Sequence, residues 1–153
     1  RDCGYLALMA GIAGGAEVVV IPECEVEPQV VSERLAAAYQ RGKTHALVIV
    51  AEGARNGAAV IESYFDEHSA EVGFELRATT LGHVVRGAAP SAADRLLATR
   101  LGVSAVQHLA EGQRGVLVGL SGGQLCTTPL AEVAGKTRPL EVGQLEMARM
   151  LAR

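Results

Sequence analysis

Cysteine is scarce in this 153-residue chain, and Cys3, Cys24 and Cys126 stand at no spacing that would build a zinc site, a redox pair or a disulfide framework. A reducing cytoplasm is the expected setting. Long hydrophobic runs are missing as well: stretches such as residues 46–51 fall far short of the roughly 18 apolar residues of a membrane span. No excess of positive charge is present. The formal charge is -3, which argues against a strongly basic nucleic-acid surface, and 49% hydrophobic with 20% charged residues argues against disorder. The chain also lacks a glycine-rich loop of the P-loop type, a dinucleotide fingerprint and a nucleophile elbow. No charged-then-apolar leader precedes the first helix and the first residue is Arg1, so the chain reads as processed or as a fragment. The length suits one main core with a satellite at most.

What is present is an alternation of two periodicities. From Asp2 to Ala13, Leu6, Leu8, Met9 and Ile12 recur at near-helical spacing before Gly14-Gly15. The β-branched run "AEVVVIPE" predicts a strand buried on both faces. Pro28 suits a first helical turn, and "PQVVSERLAAAYQR" carries a helix to Gly42. "HALVIVAEG" predicts a second buried strand, "GAAVIESYFDEH" a helix and "FELRATTLG" a third strand. Ser91 with Asp94 matches a capping box that opens a helix from Ala92 to about His108. "GVLVGL" and "QLCTT", joined by Ser121-Gly122-Gly123, predict a hairpin, and Leu145 to Arg153 a last helix. The pattern is that of an α/β fold, layered, with a mostly parallel sheet flanked by helices and an antiparallel edge hairpin. Such sheets take ligands at the carboxyl ends of their strands, which places Glu23, Glu52 and the loop of His83 and Arg86 on one rim.

Arg77, His83 and Arg86 lie within ten residues among small and apolar neighbours, with Gly82 and Gly87 beside the last two. Two guanidinium forks and an imidazole suit phosphate oxygens, and the glycines permit close backbone approach or a positive φ. The plainer reading is that Arg77 pairs across strands with an acid and His83 is a satisfied loop histidine. Glu52 closes "ALVIVA"; a carboxylate there could bind sugar hydroxyls, hold a metal or act as a base, or be a solvated strand end. Arg41 and Lys43 flank Gly42 at a helix end, where the helix dipole alone accounts for cations.

"RDCGYLALMAGIAGGAEVVVIPE", "HALVIVAEGA", "RATTLGHVVRGAAPSAADRLLATRLG" and "GVLVGL" follow one another in an order and spacing that resembles the carboxyl-terminal half of bacterial ATP-dependent 6-phosphofructokinase. The resemblance covers nearly the whole chain and weakens after about Leu130. It implies a phosphofructokinase-like fold and phosphoryl transfer from MgATP to the 1-hydroxyl of fructose 6-phosphate, with Mg2+ and ATP required. In that family Arg1 matches an arginine that binds substrate and the transferring phosphoryl group, Glu52 a glutamate that contacts fructose 6-phosphate, and Arg77 an arginine that reaches the 6-phosphate of a neighbouring subunit's substrate. His83 and Arg86 match residues that complete the site. Glu17, Arg41 and Lys43 match an effector site for ADP or phosphoenolpyruvate, in which Glu17 helps hold a magnesium ion. A homotetramer is implied.

The sequence departs from the family's Gln-Arg-Gly-Gly at Val85-Arg86-Gly87-Ala88. By the same resemblance, the nucleotide-binding glycine loop, a magnesium-binding segment and the aspartate that takes the sugar proton lie upstream of Arg1, so this piece alone is expected to be inactive. The rival readings are a pyrophosphate-dependent enzyme of the same superfamily, a non-catalytic regulatory paralogue that binds sugar phosphate or nucleotide, and an unrelated α/β anion-binding domain.

Overall fold

Valines at 18, 19 and 20 decide where the layers of the fold lie. In a strand, alternate side chains point to opposite faces, and here each face meets its own set of helices. The computed structural model describes residues 3–136 and 139–152, apart from the side chains of Arg86 and Val142. Arg1, matched above to a substrate-binding arginine, lies outside the described residues.

The chain divides into two compact units, one running to Thr80 and including the carboxyl-terminal segment, the other beginning at Leu81. In the first, β1 (Val18–Val20) pairs in parallel with β2 (Val48–Val50), Val19 opposite Ile49. Val18 and Val20 face α2 (Pro28–Gln40) and α3 (Ala58–Glu67), packing with Val31, Leu35, Ile61 and Phe65. Val19 and Ile21 face α1 (Tyr5–Gly14) and α7 (Val142–Leu151), where Leu8, Leu145 and Ala148 close the opposite layer. The result is a three-layer α/β arrangement around a short parallel pair.

Most predicted elements form where their local chemistry placed them. Pro28 occupies the start of α2, where its missing N–H costs nothing. β1 is buried on both faces as its β-branched run predicts, whereas β2 is half-buried along its length. The predicted third strand does not form: residues 74–82 are irregular up to Thr80 and then enter a 3₁₀ turn at Gly82–Arg86. Strand propensity expresses packing between neighbouring strands more than any backbone preference. Here Phe74 and Leu76 pack on the helices and core of the first unit instead. A further helical turn, α4 (Ser69–Val72), intervenes after α3.

The second unit is built from α5 (Ala92–Ala110), the antiparallel pair β3 (Val116–Ser121) and β4 (Gln124–Pro129), and the short α6 (Leu130–Val133). The capping box is complete: Asp94 N–H donates to Ser91 Oγ at 3.2 Å, and Ser91 N–H to Asp94 Oδ2 at 2.8 Å. Gly122 and Gly123, at φ 57° and 80°, make the two-residue turn that aligns Ser121 with Gln124. The hairpin is a sheet of its own, and β1–β2 is the parallel one. No helix among the described residues is long and apolar enough to cross a membrane.

Candidate functional site

Glu52 stands where the carboxyl end of a parallel strand should put it. β2 ends at Val50, the Ala51 N–H donates to Val20 O at 2.9 Å, and a turn closed by Ala54 N–H on Ala51 O at 3.1 Å presents Glu52 on the surface. Glu23, on the same rim after β1, is already committed. Both its oxygens accept the Gly4 N–H, at 2.9 and 3.0 Å, which ties the β1 end to the start of α1. Burial pushes the Glu23 carboxyl upward, but the Gly4 N–H and other donors outweigh it and hold the group below its ordinary value.

Arg77 lies on the irregular segment that follows Gly73. Phe74 and Leu76 turn inward to the core, and the Arg77 side chain turns outward, 83% exposed, with Nε 3.1 Å from Glu75 Oε1. The predicted acid partner therefore exists, two residues away on the same segment rather than across a ladder. An exposed pair of this kind is worth little, about 0–1 kcal/mol, so a dianionic phosphate can replace Glu75 at small cost.

His83 and Arg86 belong to the second unit, in the 3₁₀ turn. Gly82 opens that turn at φ 54°, a conformation that other residues adopt only with strain. Gly87, by contrast, has an ordinary φ of -90°, so of the two glycines singled out it is Gly82 whose backbone freedom is used. His83 is exposed.

Of the three residues matched to an effector site, Glu17 and Lys43 meet within the first unit, and the Arg41 side chain is engaged elsewhere. Lys43 Nζ donates to Glu17 Oε1 at 2.6 Å, and the Leu47 N–H donates to Glu17 Oε2, also at 2.6 Å. Arg41 follows the end of α2, as a dipole argument would have it, yet the carbonyl it serves is Ala152 O at the end of α7, 3.2 Å from its Nη2. Burial raises the Glu17 carboxyl, but the Lys43 ammonium and the Leu47 N–H outweigh it and hold Glu17 below its ordinary value. With both oxygens engaged, Glu17 would need Lys43 to withdraw before it could hold a magnesium ion. Among the described residues no cluster of three or more acidic, histidine or cysteine side chains stands ready for a metal.

The Glu17 pair carries a pH signature. An acid whose folded value is depressed contributes stability above its unfolded value, about 4.3, and loses it as pH falls through the folded value. The Glu17→Gln variant is therefore expected to cost on the order of 1–2 kcal/mol at pH 7, since Lys43 is partly solvated, and to lose less stability than the parent between pH 5 and 3. Urea denaturation across that range checks it; parallel acid limbs for the two proteins would refute the assignment.

Comparison with known proteins fixes the family. A family model described as Phosphofructokinase matches residues 1–109. The chain belongs to the phosphofructokinase family. ATP-dependent 6-phosphofructokinase 1 of Thermus thermophilus is 43% identical over 153 residues, covering 99% of this chain and 47% of that protein. ATP-dependent 6-phosphofructokinase of Brevibacillus brevis is 41% identical over 152 residues, 99% of this chain and 46% of that protein. This phosphofructokinase chain thus spans about half the length of the curated relatives it matches. Among solved structures, Pichia pastoris phosphofructokinase in the T-state superposes with a TM-score of 0.73 at 35% identity, over 86% of this chain and 15% of that one. Pyrophosphate-dependent phosphofructokinase from Marinobacter aquaeolei shares the fold, with a TM-score of 0.79 at 22% identity over 94% of this chain and 40% of that one.

Proposed function

We propose that this chain is the carboxyl-terminal portion of an ATP-dependent 6-phosphofructokinase, including its sugar-phosphate-binding part. The reaction is transfer of a phosphoryl group from MgATP to the 1-hydroxyl of fructose 6-phosphate in cytoplasmic glycolysis. The observation that carries this reading is the high identity, along nearly the whole chain, to proteins named for the ATP-dependent activity. It is supported by where the matched residues fall: Glu52 exposed at a strand end and Arg77 exposed on a segment anchored from below.

In this reading Glu52 accepts hydrogen bonds from sugar hydroxyls, while Arg77, His83 and Arg86 neutralise the 6-phosphate. Arg1 serves the transferring group. Phosphoryl transfer needs positioning and neutralisation of moving charge more than covalent chemistry, and cationic residues of this kind supply the acceptor's share of both. The nucleotide-binding half belongs to the amino-terminal part of the protein. Glu17, Arg41 and Lys43 form the effector site for ADP or phosphoenolpyruvate, with Mg2+ accompanying the nucleotide at Glu17, and the assembled enzyme is a homotetramer in which Arg77 serves a neighbouring subunit's substrate.

The test is turnover by the full-length protein with fructose 6-phosphate and either MgATP or pyrophosphate. Formation of fructose 1,6-bisphosphate with MgATP is expected. Turnover with pyrophosphate alone would move the protein to the pyrophosphate-dependent branch, and sugar-phosphate binding without turnover on either donor would mark a regulatory paralogue.

A further inference from the structure

The segment that carries Arg77 has no ladder to hold it. Among the described residues, no backbone–backbone hydrogen bond ties residues 74–80 to any other part of the chain. Its inner half is fixed by packing: the Phe74 ring lies 5.7 Å from that of Phe65, and Leu76 rests on the same cluster. The outer half, where Arg77 and Ala78 are exposed, has no such support from apolar burial. Among the described residues, one side chain from outside the segment is hydrogen-bonded to it. Glu62, on α3 and 16 residues earlier, accepts the Ala78 N–H on Oε1 at 2.9 Å.

We propose that Glu62 is a positioning residue for Arg77, resting on the reading of Arg77 as a ligand of the substrate phosphate. The peptide that Glu62 holds is the one that leaves the Arg77 Cα, so fixing its N–H fixes the direction in which the arginine side chain departs. A carboxylate is well suited to the task, because a backbone N–H bonded to an ionised acceptor makes a shorter and stronger bond than one bonded to a neutral acceptor. Without the tether, substrate binding would have to bear the entropy of ordering the outer half of the segment. Because Phe74 and Leu76 secure the inner half independently, loss of the tether bears on how Arg77 is aimed and leaves the core of the unit intact.

The experiment uses the full-length protein and compares Glu62→Ala, Glu62→Asp, Glu62→Gln, Arg77→Ala and the Glu62→Ala/Arg77→Ala double variant. Glu62→Ala is expected to raise the KM for fructose 6-phosphate about 10-fold, the equivalent of one hydrogen bond, with kcat and the KM for ATP unchanged, as fits loss of uniform binding. Glu62→Asp keeps the charge but falls one methylene short, and should behave like Glu62→Ala; it carries the same test should the alanine variant fold poorly. Glu62→Gln retains a carbonyl acceptor at full reach but loses the charge, and should raise KM only about 3-fold, between the parent and Glu62→Ala. The double variant should match Arg77→Ala alone, since a residue that acts through Arg77 has nothing to position once it is gone. A normal KM in Glu62→Ala beside a raised one in Arg77→Ala would overturn the proposal, as would additive effects in the double variant or a Glu62→Gln as impaired as Glu62→Ala. A normal KM in Arg77→Ala would instead sink the underlying reading of Arg77, and this proposal with it.

Discussion

Replacing Arg77 with alanine in the full-length protein is expected to raise the apparent KM for fructose 6-phosphate by about 100-fold while leaving the KM for ATP close to its parent value. Hydrogen bonds to charged groups contribute roughly 1.5–3 kcal/mol each, and a guanidinium can make two of them to one phosphate. Against that gain, little is lost on binding, because the pair with Glu75 is exposed on both sides, at 83% and 74%, and pairs of that kind contribute about 0–1 kcal/mol. Arg77→Lys should recover only part of the affinity, leaving KM about 10-fold high, since an ammonium brings the charge without the planar fork. Steady-state kinetics with each substrate varied in turn is the measurement. A KM for fructose 6-phosphate that Arg77→Ala leaves unchanged would count against the family's substrate-binding role at this position.

The parts of the fold that could be read from the sequence are those whose causes are local. Pro28 and Gly42 bracket α2, Ser91 and Asp94 open α5, and Gly122-Gly123 turns the hairpin, each through a bond or dihedral spanning a few residues. The reading failed at residues 74–82 because the alternation of Phe74, Leu76 and their polar neighbours reports only that one side faces a core. A strand needs a neighbour to pair with, and that is a property of distant sequence. The β2 strand illustrates the same limit: its apolar run is real, yet Val48, Ile49 and Val50 are half-buried. At the site, local chemistry offered a helix dipole for Arg41, whereas its partner is a carbonyl 111 residues away. Glu17, Arg41 and Lys43 were singled out as a group through the family resemblance, and the ion pair of Glu17 with Lys43 joins residues 26 apart. Glu62 carried no signal at all, being one acid among several on a helix, and its contact with Ala78 emerges only when α3 and the following segment are folded together.

Phe65 joins the stability of the first unit to the aim of Arg77, and its removal should show in both. The side chain is 2% exposed, contacts Tyr64 edge-on at 6.1 Å, and meets Phe74 at 5.7 Å beneath the Arg77 segment. Truncation to alanine loses the transfer free energy of the ring and leaves a cavity that neighbours such as Val18, Val31 and Ile61 can fill only in part, so a cost of about 3–5 kcal/mol is expected. Phe65→Leu keeps most of the volume and should cost roughly 1–1.5 kcal/mol. Urea denaturation reads both as a fall in midpoint without a change in slope. Because Phe74 and Leu76 are the core contacts that precede Arg77 and Phe74 rests on the Phe65 ring, Phe65→Ala should also weaken fructose 6-phosphate binding at temperatures where the variant remains folded, and Phe65→Leu, which still offers Phe74 an apolar floor, should not. A Phe65→Ala protein that loses less than about 1 kcal/mol would show that this ring is not part of a closed core. One that loses stability yet binds sugar phosphate normally would show that Leu76 and the Glu62 tether hold the Arg77 segment without the Phe65–Phe74 contact.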